Sequence, residues 1–329
     1  MTWPSWWSRV PWRWVLGAAV LGAVVWRTGT GPFLTGVRSL DARALVLGAG
    51  IAVLTTVACA WRWHLVASGL GITIRMRPAV ASYYRGQLLN TLLPGGVLGD
   101  VHRGVLHGRD ADATGRALRA VAWERFAGQV VQAVLAMVVL LLLSSPVSPV
   151  MPEAIGLLAA VFLAGTLVAR RPWRVRTSWV GRGLRAVHDD IRLGLLVRQS
   201  WPGVVLASAV AVAGHVATYL VAARAVGVTT PLATLLPLAV LVLLAAGLPL
   251  NLAGWGPREG VAAWAFAAAG LGAGQGVAAA VAYGAIVFIA NLPGAVVLLA
   301  TSERVGGGRK LEPPSSARPG LAAGGGSHA

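Results

Sequence analysis

Residues 130–143 and 232–250 of this chain contain no charged side chain. Runs of that length and composition cannot form a soluble surface. About 20 apolar residues are what a helix needs to cross the hydrocarbon of a bilayer. Six further stretches have the same character, so the candidate spans fall at about 10–26, 43–61, 117–143, 153–169, 202–223, 232–252, 258–274 and 276–300. Composition agrees: only 12% of the 329 residues are charged and 56% are hydrophobic, whereas soluble domains average about 25% charged. The expected fold is an all-α integral membrane protein of about eight transmembrane helices, filling 1–305 as one domain.

Two segments do not read as ordinary spans. One carries Asn90, Pro94, Gly95, Gly96, Gly99, Asp100 and Arg103; the other carries Pro249, Asn251, Gly254, Gly256, Pro257, Arg258 and Glu259. Non-helical backbone survives at membrane depth only where protein or a watery cavity covers it. Charges there are costly and mark routes for polar groups. A pair of interrupted segments in the two halves of a membrane chain is the best sequence pointer to a transport site. Residues 79–106 are therefore expected to form a re-entrant hairpin, with a second break at 249–260. The stretch 258–274 is either a full span or a second re-entrant element. A weak internal echo accompanies them, since Pro293 and Gly294 follow Asn291 as Pro94 and Gly95 follow Asn90.

The net charge of +17 would suggest nucleic acid in a soluble protein. In a membrane chain it reads as cytoplasmic loops touching anionic headgroups, so no nucleic-acid partner is expected. The segment 170–201 carries eight arginines against Asp189 and Asp190, and 144–152 carries no Lys or Arg. The first is expected inside, against anionic lipids, and the second outside. Counting spans puts both termini in the cytoplasm, although Arg27, Arg38 and Arg43 in an outer loop run against the rule. The first span is expected to be uncleaved, with Trp3, Trp6, Trp7, Trp12 and Trp14 as interfacial anchors. Trp61, Trp63, Tyr83 and Tyr84 are expected in the same role. The Gly/Pro/Ser-rich stretch 306–329 is expected to be a disordered tail.

Few residues remain to carry chemistry. Cys59 lies in an apolar run and is expected to pack as a small buried residue. His215, in the apolar run 202–223, is expected to be a satisfied packing histidine, and no metal-ligand spacing appears. No Gly-rich phosphate loop with Lys appears, so no cofactor is expected. Three acids lie in or beside apolar segments, each next to an arginine: Asp100 with Arg103, Glu124 with Arg125, and Glu259 with Arg258. Asp100 and Arg103 share a helix face at a spacing of three. One of Glu124 and Arg125 must face protein or a cavity. Arg258 and Glu259 follow a Gly/Pro break, near a helix start whose free N–H groups suit a phosphate. These pairs either lock helices together or serve a polar substrate. Arg85, Gln87 and Asn90 either line the same cavity or cap the hairpin.

The pattern of Asn90, Pro94, Gly95, Gly96, Gly99, Asp100 and Arg103, then Glu124 and Arg125, then Gly254, Gly256, Arg258 and Glu259, resembles the lysylphosphatidylglycerol synthase transmembrane region. The resemblance covers about 12–303. It implies a multi-pass bacterial plasma-membrane domain of the flippase-like type, associated with moving aminoacylated phospholipid from the inner to the outer leaflet. It also implies that Asp100, Arg103, Glu124, Arg125, Arg258 and Glu259 are functional positions; with Asn90, Pro94, Gly95, Gly96, Asn251, Gly254 and Gly256 of the two breaks they are expected to form the substrate or translocation path. No transferase domain is encoded here, so the chain is expected to be transporter-like rather than an enzyme, with a separate lipid-modifying enzyme as partner. The alternative is a membrane-embedded partner of, or enzyme acting on, lipid-linked sugar or aminoacyl-lipid substrates. In the first reading Arg103 and Arg258 would meet a lipid phosphate. The acids would meet a cationic or hydroxylated headgroup, or balance the arginines.

Overall fold

A computed structural model of the chain describes residues 12–93, 96–110, 113–170, 190, 200–248 and 256–307. All regular secondary structure among them is helical. The elements are α1 (Trp12–Thr28), α2 (Gly31–Arg38), α3 (Ala42–Gly69), α4 (Met76–Leu92), α5 (Leu98–Asp110), α6 (Thr114–Leu142), α7 (Met151–Arg170), α8 (Trp201–Ala225), α9 (Leu232–Ala246), α10 (Pro257–Ala268), α11 (Ala273–Asn291) and α12 (Pro293–Gly307). The tail 308–329 and nearly all of the basic stretch 170–201 lie outside the described residues, so the expectations placed there stay as sequence readings.

Among the described residues four segments are long and apolar enough to cross a membrane: Ala42–Gly69, Thr114–Leu142, Trp201–Ala225 and Ala273–Ala300. The 28 residues of α3 reach about 42 Å at 1.5 Å per residue, beyond a hydrocarbon core of about 30 Å. Their outer faces expose Val46, Leu54, Leu141, Leu142 and Leu206, and α12 exposes Val296 and Leu299. Apolar surface on that scale needs covering, and lipid tails cover it.

Inner faces are built from small residues, which let helix axes approach without a hydrophobic drive from solvent. The largest helix–helix contact is between α3 and α8. Ala58 and Cys59 share a buried cluster there with Ala211, as expected for the lone cysteine. At the centre, α11 touches α2, α3, α4, α8 and α10, burying Ala278, Ala279, Ala280 and Ala282.

Every expected span contains a helix, but not every helix is a span. The 12 residues of α10 reach only about 18 Å, which favours the re-entrant alternative for 258–274. Two antiparallel helix pairs result. The 17-residue α4 and 13-residue α5 pack together across the break near Leu93. The 15-residue α9 and the 12-residue α10 pack together, with 249–255 between them outside the described residues. Two local expectations change. The loop expected at 27–43 contains α2, opened by a proline in its first turn, where the missing N–H costs nothing. The span expected at 276–300 is interrupted at Leu292, because Pro293 has no N–H to continue the ladder.

Candidate functional site

Glu124 on α6 is fully buried and collects donors from three other helices. Its Oε1 accepts Nε of Arg62 at 2.8 Å, Nη2 of Arg62 at 2.5 Å and the Tyr83 hydroxyl at 3.0 Å. Its Oε2 accepts Nη2 of Arg103 at 3.2 Å. Arg103 also donates to Oδ1 of Asp100 at 2.9 Å, the pair expected from their spacing. Oδ2 of Asp100 meets Nη2 of Arg125 at 2.5 Å and Nδ2 of Asn90 at 2.9 Å. Arg62, Asp100, Arg103 and Glu124 are all buried. Breaking such a pair strands the other charge at a cost of about 3–5 kcal/mol.

The helices are held so that this chain of charges can form. Asn90 near the end of α4 accepts the Gly99 N–H at 2.8 Å while its amide holds Asp100. It clamps the first turn of α5 to α4. A Cβ on Gly99 would collide with the Gly86 carbonyl, so the clamp works at backbone contact. The Arg103 guanidinium lies 4.3 Å from the ring centroids of both Trp63 and Tyr83. Its Nε and Nη1 have no hydrogen-bond partner among the described residues, and the two ring faces supply attraction instead. Trp63 and Tyr83 are therefore not interfacial anchors: both are buried, one under an arginine and one bonded to Glu124 as well.

The second cluster is local. Gly256, at φ 133°, starts α10 in a backbone region closed to residues with a side chain. Its N–H donates to Oε2 of Glu259 at 2.8 Å, which satisfies one of the free N–H groups of the helix start. Oε1 of Glu259 accepts Nε and Nη2 of Arg258 at 2.8 and 2.5 Å. Arg258 passes the face of Tyr283 at 5.4 Å, and the Tyr283 hydroxyl shares a 3.0 Å hydrogen bond with Nδ1 of His215. His215 is thus partnered, as expected, but its partner is polar.

Both clusters meet one cavity of about 630 Å³, a size typical of small-molecule sites. The first hairpin contributes Asn90 and Gly96, and the second contributes Gly247 and Arg258. Arg62 and Arg125 complete the charged wall, while Asp100, Glu124 and Glu259 are absent from it. The acids sit behind the arginines. Of the alternatives left open by the sequence, the geometry has them balancing arginines. Val37, Leu92 and Phe288 also line the cavity and are exposed, as are Arg125 and Gln129, so its open side is part apolar and part polar.

The structure brings together Asn90, Gly96, Asp100, Arg103, Glu124, Arg125, Gly256, Arg258 and Glu259. Pro94, Gly95, Asn251 and Gly254 lie outside the described residues. Sequence reasoning missed Arg62, Ser208, Gln129 and Gln132. Arg62 donates to Ser208 at 3.3 Å, and the two glutamines donate to the Gly247 and Leu243 carbonyls at the end of α9. Arg62 follows the expected span 43–61 directly and so looks like a flanking charge. The signal was that apolar and small residues continue past it to 69, which puts it inside the helix.

No curated protein and no solved structure matches the chain. The family described as Lysylphosphatidylglycerol synthase TM region matches residues 13–294, a range that contains both hairpins and every residue of the two clusters. The helical architecture, the arginine–carboxylate clusters and this match together make the chain a member of the lysylphosphatidylglycerol synthase TM region family.

Proposed function

We propose that this protein moves a phospholipid, aminoacylated or not, between the two leaflets of a bacterial plasma membrane. The family ties the chain to membrane lipids. The observation that carries the finer reading is one cavity, shared by the two helix pairs, with a charged wall and exposed apolar residues in its lining. The headgroup would occupy the charged part while its acyl chains stay in the bilayer beyond the mouth. Nothing in this arrangement requires covalent chemistry: the arginines are held as binding groups, and the three carboxylates, the candidate bases, are each bonded to arginine. The arginine distribution favours cytoplasmic termini, and a lipid-modifying enzyme is the natural partner.

The test is leaflet exchange of fluorescent phospholipids in proteoliposomes. Wild type is compared with Asp100→Ala and Glu259→Ala at equal incorporation. Exchange by wild type that is lost in both variants supports a path through the two hairpins. Wild type without exchange of any anionic, zwitterionic or aminoacylated lipid would overturn the reading in favour of the enzyme-partner alternative.

A further inference from the structure

The charge on the cavity wall speaks to its occupant, an inference that rests on the translocator reading above. Three arginines line the cavity, and among the described residues no carboxylate does. Behind the wall the three acids are occupied. Glu124 serves Arg62, Arg103 and Tyr83; Asp100 serves Arg103, Arg125 and Asn90; Glu259 serves Arg258 and the Gly256 N–H. Among the described residues the two clusters hold four arginines against three carboxylates, a net excess of one positive charge. In a low-dielectric setting such an excess attracts an anion and repels a second cation strongly.

We propose that the cavity selects lipids whose phosphate headgroup is net anionic and rejects those whose headgroup carries an ammonium group. Arg125 is the contact best placed for the phosphate. Its side chain is 44% exposed, lines the cavity and makes one ion pair among the described residues, to Asp100. The remaining N–H groups of its planar fork match phosphate oxygens. The neutral wall suits hydroxyls. Gln87 accepts from Thr56 through Oε1, which leaves its amide hydrogens as donors. Gln129 and Gln132 donate to backbone carbonyls, which leaves their oxygens as acceptors. A soluble phosphate ester shares this chemistry, but it has nothing to set against Val37, Leu92 and Phe288 at the mouth. Acyl chains do.

The test is binding to the full chain in neutral detergent, with phosphatidylglycerol, its lysyl ester, phosphatidylethanolamine and glycerol 1-phosphate as probes. Phosphatidylglycerol is expected to bind at least about tenfold tighter than the lysyl ester, and Arg125→Gln to lose about tenfold on phosphatidylglycerol. Gln87→Glu keeps the Thr56 hydrogen bond and adds a negative charge to the wall. It is expected to shift preference toward the lysyl ester, which misfolding cannot imitate. Equal or tighter binding of the lysyl ester by wild type overturns the selection. Competition by glycerol 1-phosphate as strong as that by phosphatidylglycerol overturns the lipid as source. The same preparations are then assayed for leaflet exchange. Selective binding without exchange supports the charge selection while overturning the translocator; exchange with no headgroup preference in binding overturns the selection alone.

Discussion

In the first hairpin the arginines are held by acids from other helices, whereas in the second Arg258 is held by its neighbour in sequence. Glu124 on α6 ties α3, α4 and α5 together through Arg62, Tyr83 and Arg103. Glu259 reaches no farther than the first turn of its own helix. The same residue pair therefore does two jobs. Across helices it is a lock, and any separation of α5 from α6 must break buried ion pairs. Within one turn it is a mount that fixes the pose of Arg258 and moves with α10.

The sharpest way to break this comparison is Glu124→Ala. It strands Arg62, leaves Arg103 with Asp100 alone, and is expected to destabilise the fold by about 3–5 kcal/mol. Folded yield and thermal unfolding in detergent report it, and a wild-type melting curve would end the reading of this cluster as a lock. Next comes Gly99→Ala, whose methyl must displace the Gly86 carbonyl. Overpacking at backbone contact is expected to cost about 1–3 kcal/mol, read in the same unfolding experiment. Glu259→Gln keeps an oxygen for the Gly256 N–H and removes the charge facing Arg258. A stability change of about 1 kcal/mol is expected, on the scale of a helix cap, together with a clear fall in lipid exchange. A loss as large as that of Glu124→Ala would make the two clusters equivalent. The gentlest change is Gly284→Ala, whose methyl first meets the end of the Arg258 side chain. Stability is expected to hold within about 0.5 kcal/mol, while lipid binding falls by about tenfold through a displaced guanidinium contact.

The sequence made the two hairpins visible because Pro and Gly beside charge have few other uses in an apolar run. It made Asp100 and Arg103 legible as a pair because their spacing fixes a shared face. Arg258 and Glu259 were legible as a helix start for the same local reason. Pairings that cross helices were not legible. Nothing in the order of residues ties Arg62 to Glu124, since that contact depends on how α3 packs against α6 and α8. Trp63 and Tyr83 were misread for a related cause. An aromatic at a span end usually marks the headgroup layer, but here α3 runs on to Gly69 and both rings stack on Arg103 instead. The length of α10 was ambiguous, because an Ala/Gly-rich stretch gives no strong stop signal until its helix ends at Ala268.

One carboxylate that serves Arg62, Tyr83 and Arg103 together has a consequence for descent. Each partner is tolerable only in the presence of the others, so single substitutions at these four positions are expected to be strongly epistatic. Lineages can move through that region only by paired or compensated changes. Arg258 and Glu259, adjacent and bonded to each other, can be exchanged as one short block. Divergent relatives should therefore retain the α3–α6 constellation as a unit while the tip of the second hairpin drifts, and substrate change should be written there first.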